Sequence, residues 1–192
     1  MSRFNVVGNL SEFNTTIIGN LKKSVKESFK FDFYCIDCNN LNNHILSNEE
    51  IVVKLKLINY NFYHVLQDKV LSNIIELAES GHKKLFFDEV LTYIEPELRK
   101  ALINYLIEKD ISFINITNDI EDTLLADYLI VIFDDKVALE GNTLDVLKEE
   151  KLLNRMGFNL PFMVDLSIQL QYYGLVDKIY LDKKDLVNDL WN

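Results

Sequence analysis

At 192 residues, with 48% hydrophobic and 26% charged side chains, the chain is long enough to bury one sizeable core as a single domain with at most a small appendage. A formal net charge of −10 argues against nucleic acid as a partner, because phosphate backbones need basic patches, and no apolar run approaches the roughly 20 residues of a membrane span. The opening Met-Ser-Arg-Phe-Asn carries no apolar signal segment, and two cysteines, six glycines and two prolines point to a soluble cytosolic protein without linker, repeat or low-complexity tract.

In chain order, Asn5 to Val7 and Thr15 to Ile18 read as short strands, and Leu21 to Phe29 as a charged amphipathic helix. Phe31 to Cys35 reads as a strand, closed by the polar turn Asn39 to Asn43. Glu49 to Lys56 is divided between helix and strand, since its β-branched residues compete with a helical period. Leu66, Val70, Leu71, Ile74, Ile75 and Ala78 have helical spacing and place a helix over Val65 to Glu79.

Lys84-Leu-Phe-Phe-Asp88-Glu89 is apolar on both faces, which predicts a central, doubly covered parallel strand. Such strands present their carboxyl ends at the ligand crevice of an open α/β sheet. Pro96, between Glu95 and Glu97, starts a helix that runs to about Lys109. Ile111 to Ile116 is a strand ending in Thr117-Asn118-Asp119, and Tyr128 to Phe133 forms a hairpin with Val137 to Leu139 across Asp134-Asp135. Helices are predicted over Leu144 to Met156, Phe162 to Tyr173 and Lys183 to Trp191. The expectation is an α/β sheet protein, with a core over residues 1–147 and a helical carboxy-terminal extension over 148–192.

A strand ending in Asp-Glu can set one acid near a metal-bound phosphate and the next near an attacking water; the plainer alternative is an acid pair facing solvent. The downstream order favours the first. LFFDEV resembles the Walker B strand of the nucleotide-binding subunits of ABC transporters, TYIEPELRKAL their D-loop and its helix, and SFINITND their switch strand. ADYLIVIFDDKVALEGNTLDVL resembles the hairpin and helix that follow. GFNLPFMVDLSIQLQYYGL, with YLDKKDLVNDLW, resembles the carboxy-terminal extension of energy-coupling factor (ECF) transporter ATPases. The resemblance implies a P-loop-NTPase-like three-layer sheet, ATP and Mg²⁺ as ligands, and a dimer at the inner face of the cell membrane in contact with a membrane transporter subunit. It gives Asp88 the Mg²⁺-holding role, Glu89 the catalytic carboxylate, Glu95 the place of the D-loop aspartate, and Asn118 the place of the switch histidine. Asn118 can hydrogen-bond a phosphate but carries no charge.

The first half departs from that pattern. A phosphate loop needs Gly-x-x-x-x-Gly-Lys-Ser/Thr, so that backbone amides wrap the phosphates. Here Gly19 fits the first glycine, whereas Ser24, Val25 and Lys26 stand where the last glycine, the lysine and the metal-binding hydroxyl belong. A one-residue slip brings Lys26 to the phosphates; otherwise Lys22, Lys23 and Lys26 form a solvated helix face. The stretch from Gly19 to Asp88 is too short for the family's helical subdomain, and the glycine-free run His64 to Asn73 replaces its signature sequence. The implied protein is a degenerate, truncated, non-hydrolysing structural or regulatory partner, dimerising with itself or with an intact ECF ATPase through Leu160, Phe162, Leu166 and Leu170. The alternatives are a working Mg-ATP hydrolase built on Gly19, Asp88 and Glu89, and a small α/β binding protein of unrelated role. Cys35-Ile-Asp-Cys38 has zinc or redox spacing, but with His44 it reaches three ligands rather than four. His64 and His82 are isolated, and Tyr60, Phe62 and Tyr63 read as core or interface.

Overall fold

The structure, a computed structural model, describes residues 13–23, 26–27, 32–58 and 65–191. The strand expected at Asn5 to Val7, most of the helix expected at Leu21 to Phe29, and the readings of Tyr60, Phe62, Tyr63 and His64 lie outside these residues.

Six strands form one mixed sheet: β1 (Thr15–Ile18), β2 (Tyr34–Ile36), β3 (Lys84–Asp88), β4 (Ser112–Thr117), β5 (Tyr128–Phe133) and β6 (Lys136–Asn142). Their spatial order is β2-β3-β4-β1-β5-β6. The first five run parallel, and β6 returns antiparallel to β5. From β1 the chain moves out to β2, comes back through β3 and β4, and then crosses to the far side of β1 as β5. The order therefore reverses around β1, and the crevice such a reversal opens lies beyond the carboxyl ends of β1, β3 and β4.

Burial explains why the strands sit in this order. Every residue of β1 is buried, as a central parallel strand requires. On one face, Ile36, Phe87 and Phe113 pack against α1 (Asn48–Lys54), α2 (Val65–Glu79) and α3 (Pro96–Glu108) through Ile51, Leu71, Ile74, Ile75, Leu102 and Leu106. Further along that face, Ile18, Leu129 and Val131 meet α4 (Thr143–Leu147), α5 (Glu150–Arg155) and α6 (Phe162–Tyr172). The opposite face buries Ile17, Phe86, Ile114, Ile116, Ile130 and Ile132, with Phe33 laid over them.

The structure decides one open reading and changes two others. Of the stretch Glu49 to Lys56, open between helix and strand, Glu49 to Lys54 is helical within α1, because Ser47 and Glu50 close a capping box: the Ser47 amide donates to the Glu50 carboxylate at 2.9 Å and the Glu50 amide to the Ser47 hydroxyl. Ser47→Ala should lower stability by about 1 kcal/mol, read as a lower urea midpoint at constant slope. The second strand is Tyr34–Ile36, so Asp32 and Phe33 of the expected stretch precede it and Ile36 extends it, while Phe31 lies outside the described residues. The single helix expected over Leu144 to Met156 is broken at Glu149, whose ψ is 43°. Leu147 and Leu153 both enter the cluster around Ile18; on one continuous helix they would point in divergent directions.

The chain closes with α7 (Lys183–Leu190), which shares a small cluster of Met163, Val176, Tyr180 and Leu186 with α6. The buried Ser167 hydroxyl of α6 ties that helix to the stretch before α7, donating to the Met163 carbonyl at 2.7 Å and accepting from the Tyr180 amide at 2.9 Å.

A separate polar cluster fastens α1, α2 and α3. The Tyr105 hydroxyl donates to Glu79, Lys109 lies 2.9 Å from the same carboxylate, and Lys54 lies 3.5 Å away. The Tyr105 bond, then Lys109, pull the Glu79 carboxyl down to about 2. A depressed carboxyl contributes stability that is complete above its unfolded value and is lost as pH falls toward the folded one. Glu79→Gln should therefore flatten the acid limb of stability between pH 4.5 and about 2. Urea midpoints through that range test it, and a wild-type slope in the variant would refute it. Partial exposure of Glu79 keeps the effect small.

Candidate active site

The acids stand where β3 ends. Asp88 is its last residue, in register with Ile116 of β4. Glu89 turns out of the sheet in the left-handed region, at φ 60°, while its amide donates to the Ile116 carbonyl at 3.0 Å. A non-glycine residue held at positive φ is strained, and such strain gathers at functional turns. It carries the Glu89 carboxylate back toward the group that Asp88 binds.

That group is the Lys26 ammonium. It donates to Asp88 Oδ1 at 2.5 Å and lies 3.5 Å from Glu89 Oε1. The Lys26 and Asp88 side chains are 22% and 24% exposed, so the pair is shielded on most sides, while Glu89 is 51% exposed. Burial alone would lower the Lys26 pKa; the bond and charge of Asp88, with those of Glu89, outweigh it and raise it. The solvated-face reading therefore fails for Lys26. It holds for Lys22, whose exposed ammonium meets the equally exposed Asp135 at 2.9 Å.

Gly19 follows directly on β1 at φ 102°. A Cβ there would lie 2.1 Å from the backbone carbonyl oxygen of Ile132 on β5. Close approach of the β5 backbone demands the glycine, independently of any phosphate.

The other two positions lie at neighbouring loop starts. Asn118 is exposed, one residue beyond β4. Glu95 is the exposed N-cap of α3, and its amide donates to Gln67 Oε1 of α2 at 2.8 Å. Beneath the Asn118 turn lies a buried polar network that the sequence reading missed. Arg99 Nη1 bonds Asp122 and reaches Asp119 Oδ2 at 2.8 Å, while its Nε donates to the Ile94 carbonyl at 2.6 Å. The Thr117 hydroxyl donates to Asp122 Oδ2 at 3.0 Å, and the Thr16 hydroxyl of β1 to the Asp122 carbonyl at 3.3 Å. Burial raises the Asp122 carboxyl, and Arg99 and Thr117 offset this only in part. The available signal was Arg99 itself, set on the apolar side of a helix between Leu98 and Leu102.

Cys35 is half-buried and Cys38 exposed, and neither forms a disulfide. Cys38 interacts with the Tyr93 hydroxyl and so raises its pKa. Among the described residues, no group of three or more His, Cys, Asp or Glu is arranged to hold a metal ion. A magnesium ion on Asp88 would have to displace the Lys26 ammonium, so the site as arranged does not fit one.

Solved structures show a like fold. The chain superposes on cbiO1 from Clostridium perfringens, part of the ABC transporter complex cbiONQ, with a TM-score of 0.51 at 17% identity, covering 84% of this chain and 86% of that one. It superposes on a bacterial Atm1-family ABC exporter with ATP bound, with a TM-score of 0.53 at 11% identity, covering 76% of this chain and 36% of that one. The fold is like that of these ABC-transporter ATP-binding structures. In sequence, the chain is similar to energy-coupling factor transporter ATP-binding proteins. It is 33% identical over 106 residues to EcfA1 of Staphylococcus saprophyticus, covering 50% of this chain and 39% of that protein. It is 27% identical over 95 residues to EcfA1 of Lactobacillus acidophilus, covering 47% and 34%. The chain thus spans less than half the length of these curated relatives. No family model matches it. The ECF resemblance read from Lys84 onward is borne out. Among the described residues, no helix is long and apolar enough to cross a membrane.

Proposed function

We propose that this chain is a degenerate ECF-type ATP-binding subunit homologue that does not hydrolyse ATP and serves as a structural or regulatory partner. One observation carries the reading: the Lys26 ammonium is bonded to Asp88 at 2.5 Å and lies 3.5 Å from Glu89. Hydrolysis in this fold requires the first acid to hold a metal ion and the second to position water. Here both carboxylates are engaged by a side chain of the same protein. The run after Gly19 also has no second glycine before Lys26, so it has little capacity for the tight amide wrap that grips phosphates.

Titration calorimetry and phosphate release with Mg-ATP test this. The expected result is no turnover and, at most, weak binding. Turnover abolished by Glu89→Gln would establish the hydrolase instead.

The partner we propose is a second copy or an intact ECF ATPase at the cytoplasmic face of the membrane. Residues 148–192 are the proposed dimerisation element, with Phe162 exposed on α6 and Leu166 and Leu170 half-buried behind it. Size-exclusion chromatography and pull-down with an ECF ATPase check this, and a strict monomer that ignores such an ATPase would end the proposal.

A further inference from the structure

We propose that Lys26 is a built-in counter-cation, and that its contact with Asp88 and divalent-ion binding at the Asp88–Glu89 pair exclude each other. The proposal deepens the non-hydrolysing reading of this site. It begins with a conflict between the fold, which implies a magnesium ion beside Asp88, and the residues present, which do not fit one.

The exclusion follows from distance and charge. Magnesium binds carboxylate oxygen at about 2.0–2.1 Å. The ammonium already stands 2.5 Å from Asp88 Oδ1. A divalent ion bound to that oxygen would share one small space with a like charge, and the repulsion is strongest where water is scarce. The Lys26 and Asp88 side chains are both largely shielded. The ammonium must therefore leave before an ion can enter.

Lys26 also suits the place chemically. Its head is a compact point charge with three donors, closer to a metal ion than the flat fork of an arginine is. It engages both acids, and Glu89 is turned toward it by backbone at φ 60°. The lysine is tethered, so it competes at a high local concentration that a free ion must match. Asp88 and Glu89 together carry two negative charges, and Lys26 compensates one. Its removal should leave an acid pair that draws in a divalent ion.

The test uses the full chain without nucleotide and manganese as the probe, followed by electron paramagnetic resonance and thermal unfolding. In the wild type, millimolar MnCl₂ should change neither bound manganese nor Tm relative to sodium chloride of matched ionic strength. Lys26→Gln should unfold at lower temperature without metal, regain stability with MnCl₂, and bind one manganese per chain roughly tenfold or more tighter than wild type. Asp88→Asn in the Lys26→Gln background should abolish that binding. Lys26→Arg retains the charge, so it should fold and exclude manganese, and this arm stands even where Lys26→Gln fails to fold. Wild-type or Lys26→Arg protein that binds one manganese per chain at millimolar MnCl₂, with the binding lost on Asp88→Asn, overturns the proposal, as does a folded Lys26→Gln protein that ignores the metal. Turnover of Mg-ATP would overturn the non-hydrolysing reading, whereas metal binding without nucleotide decides the exclusion, so the two failures are distinguishable.

Discussion

Gly19→Ala is expected to destabilise the protein by about 3 kcal/mol or more, from two causes that add. The first is conformational: at φ 102° an L-residue is strained by about 1–3 kcal/mol. The second is steric. The new Cβ would lie 2.1 Å from the Ile132 carbonyl oxygen and 3.0 Å from its carbon, and neither is the movable tip of a side chain. Ile132 is itself buried in the cluster with Ile17 and Ile130, and it stands at the register shift between β5 and β6. Relief therefore requires moving β5 away from β1, in the centre of the sheet. Gly174→Ala is the control: its φ is 67°, but nothing lies within 4 Å of the added Cβ, so it should lose only about 1 kcal/mol. Urea denaturation measures both. Equal losses would mean that the approach of β1 and β5 relaxes and that Gly19 is needed for its dihedral alone. The result also separates two reasons for a glycine at this point. A loss of fold in the absence of any nucleotide assigns Gly19 to the sheet, whatever further use a phosphate would make of it.

What could be read in advance divides along the range of the interactions involved. Thr15–Ile18, Lys84–Asp88 and Val65–Glu79 form where the sequence predicts them, because the burial of a strand face or helix stripe is written in local periodicity. Asp88 and Glu89 were legible for the same reason, since a doubly buried strand announces its own carboxyl end. α1 was ambiguous to periodicity, yet the Ser47 and Glu50 pair that caps it is a local signal. Lys26 was misplaced because its partner is remote: the bond to Asp88 spans 62 positions, and nothing near Lys26 in the chain distinguishes it from Lys22 or Lys23. Arg99 was overlooked for the same reason, with partners 20 and 23 positions away. The break at Glu149 depends on where Ile18 and Val131 stand in the assembled sheet. Pattern predicts which elements form; the pairing of charges across the crevice follows only once the strand order is known.

Arg99→Met should cost about 3–5 kcal/mol, the range for stranding one member of a buried ion pair. Methionine fills the volume of the side-chain stem but removes the partner of Asp122, whose carboxylate is almost wholly buried. It also frees the Ile94 carbonyl that Arg99 Nε holds at 2.6 Å and the Asp119 carboxylate at 2.8 Å. Asp122→Asn added to Arg99→Met should recover a large part of the loss, because a neutral amide in that site no longer carries an unpaired charge while still accepting from Thr117. The pH dependence has a fixed sign. Burial already raises the Asp122 carboxyl above its ordinary value with Arg99 present, and removing Arg99 raises it further. A carboxyl whose folded pKa exceeds its unfolded one binds its proton more tightly in the native state, so native stability gains as pH falls from the folded value toward the unfolded one and is level above the folded value. The deficit of Arg99→Met relative to wild type should therefore shrink under acid and be full at neutral pH, measured by urea midpoints across the range. A pH-independent deficit would place the loss in packing rather than charge. Because the network spans Thr16 of β1, Thr117 at the end of β4 and the start of α3, the same substitution also tests how rigidly Asn118 and Glu95 are held beside Asp88. Increased hydrogen exchange confined to residues 117–125 and 94–99 is the expected companion result, since Arg99 bonds the Ile94 carbonyl on one side and Asp119 and Asp122 on the other.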